Sequence, residues 1–203
     1  MRDFYFYEPS KGHGLAHDPF KAIVAPRPIG WISTRDTCGR VNLAPYSFFN
    51  AVCDRPPMVM FSSGGWKDTV ANVEATREFV CSLVTRALAE QMNQTSSTLP
   101  PGVNEFEFAG LTPLPSRVVA PPRVAGAPAA LECRLVEIIQ LQDLNGAKLD
   151  HYVTIGQIVG VHLDCAYLKD GIFDLLATHP VQRAGYRDDY TEANSGFQMR
   201  RPL

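Results

Sequence analysis

The 203-residue sequence has no long apolar run and no excess of either charge. No stretch approaches the roughly 18 consecutive apolar residues of a membrane-spanning helix, so we expect no membrane association. Nineteen basic residues stand against 21 acidic ones and are scattered along the chain, which does not fit a nucleic-acid-binding protein. The N-terminus carries Asp3 and Glu8 and no apolar core of signal-peptide length, so we expect no secretion.

Cysteine is also scarce, with five residues far apart and no Cys-x-x-Cys pair. We therefore expect no disulfide framework, no metal site and a location in the reduced cytoplasm, with the cysteines serving as packing residues. His13 and His17 form the one His-x-x-x-His pair, but they lie in a Gly-rich leader. Gly-x-Ser-x-Gly, Gly-x-Gly-x-x-Gly and Walker-type motifs are missing as well, so no residue is assigned a catalytic role.

Sixteen prolines and 15 glycines are spread through the chain, a pattern that favours short strands joined by turns. We predict a single domain over residues 1–203, mainly β, built as a closed or nearly closed barrel with helices at its edges. Strands are predicted in residues 21–34 (with a bend at Pro26 and Pro28), 41–53 (interrupted at Pro45), 57–63, 79–84, 130–142 and 151–168. Helices are predicted at 67–78 and 86–94, a hairpin turn at 143–146, and irregular loop at 99–128, which holds seven prolines.

Residues 27–69 are the segment richest in chemistry. Hydrogen-bonding side chains such as Ser33, Asn42 and Ser47 alternate there with Trp31 and Phe48. That mixture suits a ligand with a flat aromatic part and a polar or anionic part. The alternative is that the aromatic residues are core and the hydroxyls are edge residues.

The stretch Ser62-Ser-Gly-Gly-Trp-Lys-Asp-Thr69 narrows the choice of ligand. A strand ends in two hydroxyls, a glycine pair turns the chain, and a helix begins near Lys67. The free amides at a helix start favour an anion, and Lys67 would add a full positive charge to bind it. The alternative is that Asp68 or Thr69 only caps the helix.

Three motif blocks follow one another in the sequence: Pro26-Arg-Pro-Ile-Gly-Trp-Ile-Ser-Thr34, Asn42-Leu-Ala-Pro-Tyr-Ser-Phe-Phe-Asn50, and Pro56-Pro-Met-Val-Met-Phe-Ser-Ser63 followed by Lys67-Asp-Thr69. In this order they resemble the flavin reductase-like family of FMN-binding split barrels, including its flavoredoxin-like branch. The resemblance returns at His179-Pro-Val-Gln-Arg-Ala-Gly-Tyr186, while residues 99–128 match no motif. It implies a six-stranded Greek-key split barrel, a homodimer, and FMN held non-covalently near the dimer interface.

The resemblance also implies the site residues. Ser33 and Thr34 would lie by the isoalloxazine, and Ser47, Phe48 and Asn50 would line the flavin and its ribityl chain. Ser62, Ser63, Lys67 and Thr69 would hold the phosphate, and Arg183 and Tyr186 would close the pocket.

The function expected from this resemblance is an FMN-dependent oxidoreductase that takes hydride from NADH or NADPH. Reduced flavin could then pass to a partner monooxygenase, or stay bound and reduce a small acceptor such as a nitroaromatic or quinone. The alternatives are a flavoredoxin-like electron carrier and a flavin-binding protein without turnover.

Overall fold

The computed structural model describes residues 2–100 and 102–202. Its strands are β1 (Arg27–Pro28), β2 (Gly30–Arg35), β3 (Val41–Tyr46), β4 (Phe49–Asp54), β5 (Pro57–Gly64), β6 (Glu78–Ser82), β7 (Pro113–Leu114), β8 (Arg123–Val124), β9 (Ala129–Gln142), β10 (Lys148–Leu163), β11 (Leu168–Lys169), β12 (Ile172–Phe173), β13 (Val181–Arg183) and β14 (Tyr190–Glu192). The α-helices are α1 (Phe20–Ile23), α2 (Asp68–Thr76), α3 (Ala89–Gln94) and α4 (Glu105–Phe108).

Seven antiparallel strands form the main sheet in the order β3-β2-β6-β9-β10-β5-β4. The two edge strands, β3 and β4, follow each other in the chain and are joined by only Ser47 and Phe48. The edges must therefore lie side by side at that connection, and the sheet curls into a barrel that is split there. The predicted mainly β split barrel is confirmed, with seven strands in the sheet where the resemblance implied six.

The barrel interior holds one apolar core, in which the Phe61 and Phe79 rings meet edge to face with centroids 5.5 Å apart. Gly156 is required beside them, because a Cβ there would come within 2.4 Å of the Phe79 ring. A second core lies outside the barrel wall. It contains Trp31, whose indole nitrogen donates to Thr95 Oγ1 at 2.9 Å, and Phe106 of α4.

Several predicted boundaries need correction. Phe20–Ile23 is a helical turn, not a strand, because Asp18 Oδ1 accepts from the Phe20 amide and Pro19 O accepts from the Ala22 and Ile23 amides. Pro45 does not interrupt β3; the strand lies at a sheet edge, where a missing N–H is tolerated.

Residues 99–128 are not wholly irregular, since α4, β7 and β8 lie there. In the predicted helix at 86–94 the first three residues, Arg86–Leu88, form a 3-10 turn. The hairpin turn is confirmed: Asp143 Oδ1 accepts from two turn amides, and Gly146 has φ +81°.

All five cysteines are free thiols. Cys81 and Cys133 are buried packing residues, and burial raises the pKa of Cys81 to about 12. The packing interpretation is wrong for Cys38 and Cys165, which are exposed because they lie in surface turns.

Within residues 2–100 and 102–202, no helix is long and apolar enough to cross a membrane. The same residues contain no group of three or more His, Cys, Asp or Glu side chains suited to a metal ion.

Candidate functional site

The split of the barrel opens onto a cleft of about 550 Å³, which we call the aromatic cleft. Its lining is largely apolar and includes Phe48, Phe49 and the half-exposed Phe20. Ser47, Asn50 and Ser62 supply polar groups, and Arg27 supplies a cation. The β3–β4 connection positions Ser47 and Phe48 here, where the Phe48 carbonyl also accepts from the Ser62 amide at 2.8 Å.

A second cleft, of about 400 Å³, lies at the start of α2, and we call it the lysine cleft. Lys67 is the N-cap residue of α2 and is exposed, and its side chain makes no capping hydrogen bond. Thr69 does not cap the helix either, because its hydroxyl accepts from Asn42 Nδ2 at 2.9 Å. The first-turn amides are therefore not occupied by a side-chain cap, which leaves them suited to an anion.

A third cleft, of about 390 Å³, connects the other two, and we call it the arginine cleft. Ser47 lines both it and the aromatic cleft, while Pro45 and Ser96 line both it and the lysine cleft. The three clefts therefore adjoin one another beside β3, from the β3–β4 connection to the start of α2, and we call this row of clefts the trough. Arg183 and Arg187 lie in its middle part with Tyr190, whose ring centroid is 4.5 Å from the Arg183 guanidinium carbon.

The trough brings together seven of the eleven predicted site residues. These are Ser47, Phe48, Asn50 and Ser62 in the aromatic cleft, Arg183 in the arginine cleft, and Lys67 and Thr69 in the lysine cleft. Ser62 and Lys67, both predicted phosphate residues, thus lie in different parts of the trough.

The other four residues do not line these clefts. Ser33 is fully buried and its hydroxyl donates to the Pro122 carbonyl, while buried Thr34 accepts from Asn72 Nδ2 at 3.0 Å. Ser63 is buried too, with its hydroxyl donating to the Gly65 carbonyl at 2.9 Å. Their hydroxyls are therefore engaged within the protein.

Tyr186 is 45% exposed, and its ring centroid is 5.5 Å from that of His17. It lies three residues beyond Arg183, outside the lining of the trough.

Sequence reasoning missed a carboxyl group in the lysine cleft. Glu105, from α4, lines the cleft and accepts from the Leu43 amide at 3.0 Å. Burial raises the pKa of this carboxyl. Asp68 lines the same cleft, so an anion bound there would face Lys67 together with two acids. No local signal pointed to Glu105, because it lies in the proline-rich segment.

Arg27 was quoted only as part of a sequence block, yet it lines the aromatic cleft and is 6% exposed. Its guanidinium carbon lies 6.0 Å from the Phe48 ring centroid. The trough thus combines flat apolar walls, amide and hydroxyl groups, and at least one cation in each of its three clefts. That arrangement can bind a planar ligand that carries anionic groups.

Comparison with known proteins relates the chain to proteins named for flavin chemistry. The family model described as "Flavin reductase like domain" matches residues 24–174. An uncharacterized protein of Halalkalibacterium halodurans is 35% identical over 185 residues, covering 88% of this chain and 87% of that protein. An uncharacterized protein of Aquifex aeolicus is 45% identical over 128 residues, covering 61% of this chain and 65% of that protein.

Solved structures share the fold across almost the whole chain. Nitrilotriacetate monooxygenase component B from Bacillus cereus has a TM-score of 0.82 at 29% identity, covering 89% of this chain and 90% of its own. The Pseudomonas fluorescens 2-nitrobenzoate 2-nitroreductase has a TM-score of 0.79 at 26% identity, covering 90% and 88%.

Proposed function

The chain belongs to the flavin reductase-like family, and we propose that it is a cytoplasmic FMN-dependent oxidoreductase that takes electrons from NADH or NADPH. The observation that carries the proposal is the trough along β3, with flat apolar walls at one end and the start of α2 with Lys67 at the other. FMN has the matching parts, namely a planar ring system, a polar ribityl chain and a terminal monophosphate. Hydride transfer needs no acid or base, so the lack of an assigned catalytic dyad is compatible with this function.

The chain's own residues would bind and orient the cofactor, and the bound flavin would supply the hydride and electron chemistry. Phe48 would lie against the ring, with Ser47 and Asn50 as polar partners beside it. Lys67 and the first amides of α2 would hold the phosphate, and the Thr69 hydroxyl, bonded to Asn42, would support that turn.

Four further residues have less direct parts in this proposal. Ser62 would contact the ribityl chain. Ser33, Thr34 and Ser63 would act indirectly, by fixing the strands that carry the lining residues, because their hydroxyls are already paired within the protein. Arg183 and Tyr186 would close the open side of the pocket.

We also propose a homodimer, for which the long β9–β10 hairpin gives physical support. Its exposed apolar side chains are Val136, Ile139, Leu141, Leu149, Val161 and Leu163 on the strands and Leu144 in the turn. Apolar side chains gathered on one element favour association, and a second copy of the chain would cover them.

The test of function is direct. Purified protein is titrated with FMN and FAD by fluorescence, then mixed anaerobically with NADH and with NADPH while the flavin absorbance is followed. We expect FMN to bind more tightly than FAD and one nucleotide to bleach the flavin. Failure to bind FMN would overturn the proposal, and FMN binding without bleaching would leave only an electron carrier or a flavin-binding protein.

Two named neighbours favour different electron acceptors. Likeness to a monooxygenase component B supports release of reduced flavin to a partner monooxygenase. Likeness to a nitroreductase supports flavin that stays bound and reduces a nitroaromatic, with quinones as a further class. Gel filtration of the reduced protein separates these two outcomes, because released flavin elutes apart from the protein, and added acceptors then identify the class.

A further inference from the structure

Arg27 and Arg183 are direct cross-strand partners in the small sheet formed by β1, β13 and β14. Their side chains therefore start on the same face of that sheet, one beside the other. Like charges in this position repel. Burial lowers the pKa of Arg27, and the charge of Arg183 lowers it further.

Nothing in the described chain neutralises this pair. Across residues 2–100 and 102–202, no carboxylate oxygen lies within 4.0 Å of a nitrogen of Arg27 or Arg183. Asp188 lines the arginine cleft with Arg183 but stays beyond that distance. A buried charge without a counter-charge is costly. Arg27 is such a charge, because its side chain is only 6% exposed.

Arg27 does have structural contacts, which account for part of its burial. One guanidinium nitrogen donates to Lys21 O at 2.5 Å and also to Val24 O, and the other donates to Ala184 O at 3.4 Å. Its Nε is buried and has no partner within the described residues. Carbonyls satisfy hydrogen bonds but carry no net charge, so the positive charge of the pair is left uncompensated.

The position of the pair gives it a use. Arg27 lines the aromatic cleft beside Phe48, and Arg183 lines the arginine cleft that adjoins it at Ser47. We propose that Arg27 and Arg183 form a subsite for the carboxylate or phosphate group of the ligand that exchanges electrons with the flavin. This inference rests on the proposed function, and it assigns the pair to a second ligand while Lys67 serves FMN.

The probes separate the two sources of such an anion. FMN-loaded protein is titrated with benzoate, with neutral benzamide and with ADP-ribose, and the flavin absorbance is recorded. Benzoate represents an aromatic acceptor with a carboxylate, and ADP-ribose represents the pyrophosphate part of a nicotinamide donor. We expect one of the two anions to perturb the flavin spectrum and to bind at least tenfold more tightly than benzamide.

Variants test whether the arginines are responsible. Arg183→Gln should weaken binding of that anion by about tenfold to a hundredfold, because a charge-assisted hydrogen bond is lost. Arg183→Lys should retain more of the affinity, since it keeps the charge. Arg134→Gln, an exposed arginine outside the three clefts, is the matched control and should change nothing.

Three results would overturn the subsite. The first is that neither anion binds better than benzamide, and the second is that Arg183→Gln leaves the affinity of the anion unchanged. The third is an equal loss of FMN affinity in Arg183→Gln and Lys67→Ala, because the pair would then hold the cofactor. If FMN does not bind at all, the proposed function fails separately. The subsite is then tested by thermal unfolding of the flavin-free protein with benzoate or phosphate. If the anion raises the unfolding temperature of the wild type but not of Arg183→Gln, the subsite stands. If the anion does not raise it in the wild type, the subsite is refuted.

Discussion

Glu132 offers the sharpest prediction of stability, because a fully buried carboxylate holds a surface loop onto the barrel. Oε1 accepts from the Arg117 amide at 2.8 Å and from His162 Nε2 at 2.5 Å. Oε2 accepts from the Val118 and Val119 amides at 2.6 and 2.9 Å. The replacement Glu132→Gln keeps the shape of this side chain but turns one acceptor oxygen into a donor.

The cost follows from the hydrogen bonds. The best orientation of the glutamine leaves its oxygen on Val118 and Val119 and points its NH2 at His162, so the Arg117 amide loses its acceptor. A buried donor without a partner costs about 1–3 kcal/mol, and two bonds to a neutral oxygen are each about 1 kcal/mol weaker than bonds to a charge. We therefore expect Glu132→Gln to lower the free energy of unfolding by about 3–5 kcal/mol.

The effect should depend on pH. Burial opposes ionisation of Glu132, but the amide and His162 hydrogen bonds outweigh it and lower the pKa to about 2, from 4.5. Because the folded-state pKa is lowered, the stabilisation is fully present above about pH 4.5 and is lost as the pH falls through about 2. The difference between the two pKa values corresponds to roughly 3 kcal/mol in the free energy of unfolding.

Urea unfolding followed by circular dichroism measures the change at pH 7 and at steps down to pH 3. The difference in the free energy of unfolding between wild type and Glu132→Gln should become smaller as the pH falls. Glu137→Gln on the same strand is the control and should stay within about 0.5 kcal/mol of wild type, because Glu137 is exposed. A Glu132→Gln protein as stable as this control at pH 7 would refute the reasoning.

Three further predictions concern the site and the assembly. Lys67→Ala should weaken FMN binding about tenfold to a hundredfold by fluorescence titration, with exposed Lys148→Ala as control; unchanged affinity would put the phosphate elsewhere. Asn50→Ala should shift the flavin reduction potential, measured by potentiometry, because donors near the ring stabilise the charge that appears on reduction. FMN occupancy should fall less than in Lys67→Ala. Loss of FMN with an unchanged potential would show that Asn50 holds the flavin and does not tune it. Light scattering should give a dimeric mass, and a monomer that still holds FMN would contradict the homodimer.

The turns and helix ends could be predicted from the sequence because residues that are neighbours in the chain determine them. The Asp143–Gly146 turn depends on an Asp side chain and a positive φ at glycine, both encoded within four residues. The helix after the Gly64-Gly65 pair was predicted at 67–78 and lies at Asp68–Thr76, ending at Arg77 in the left-handed region with φ +66°. The motif blocks likewise led to the family before any contact was known.

The direction of a side chain needed more than the pattern. Alternation along a strand predicts that Ser62 and Ser63 face opposite sides, but not which of them faces the inside of a curled sheet. The structure puts Ser63 inside and Ser62 in the aromatic cleft. Closure of the barrel decides this, because it fixes the inner face of every strand at once.

Contacts between distant segments were beyond the sequence altogether. Glu132 binds a loop about fifteen residues earlier, and Arg27 stands opposite Arg183, which is far away in the chain. Sequence alone determined the strand-rich composition, the turns and the family blocks, since each depends on neighbours in the chain. Only the tertiary structure decided which charges meet, because strand pairing brings together residues whose separation along the chain carries no information about their distance in space.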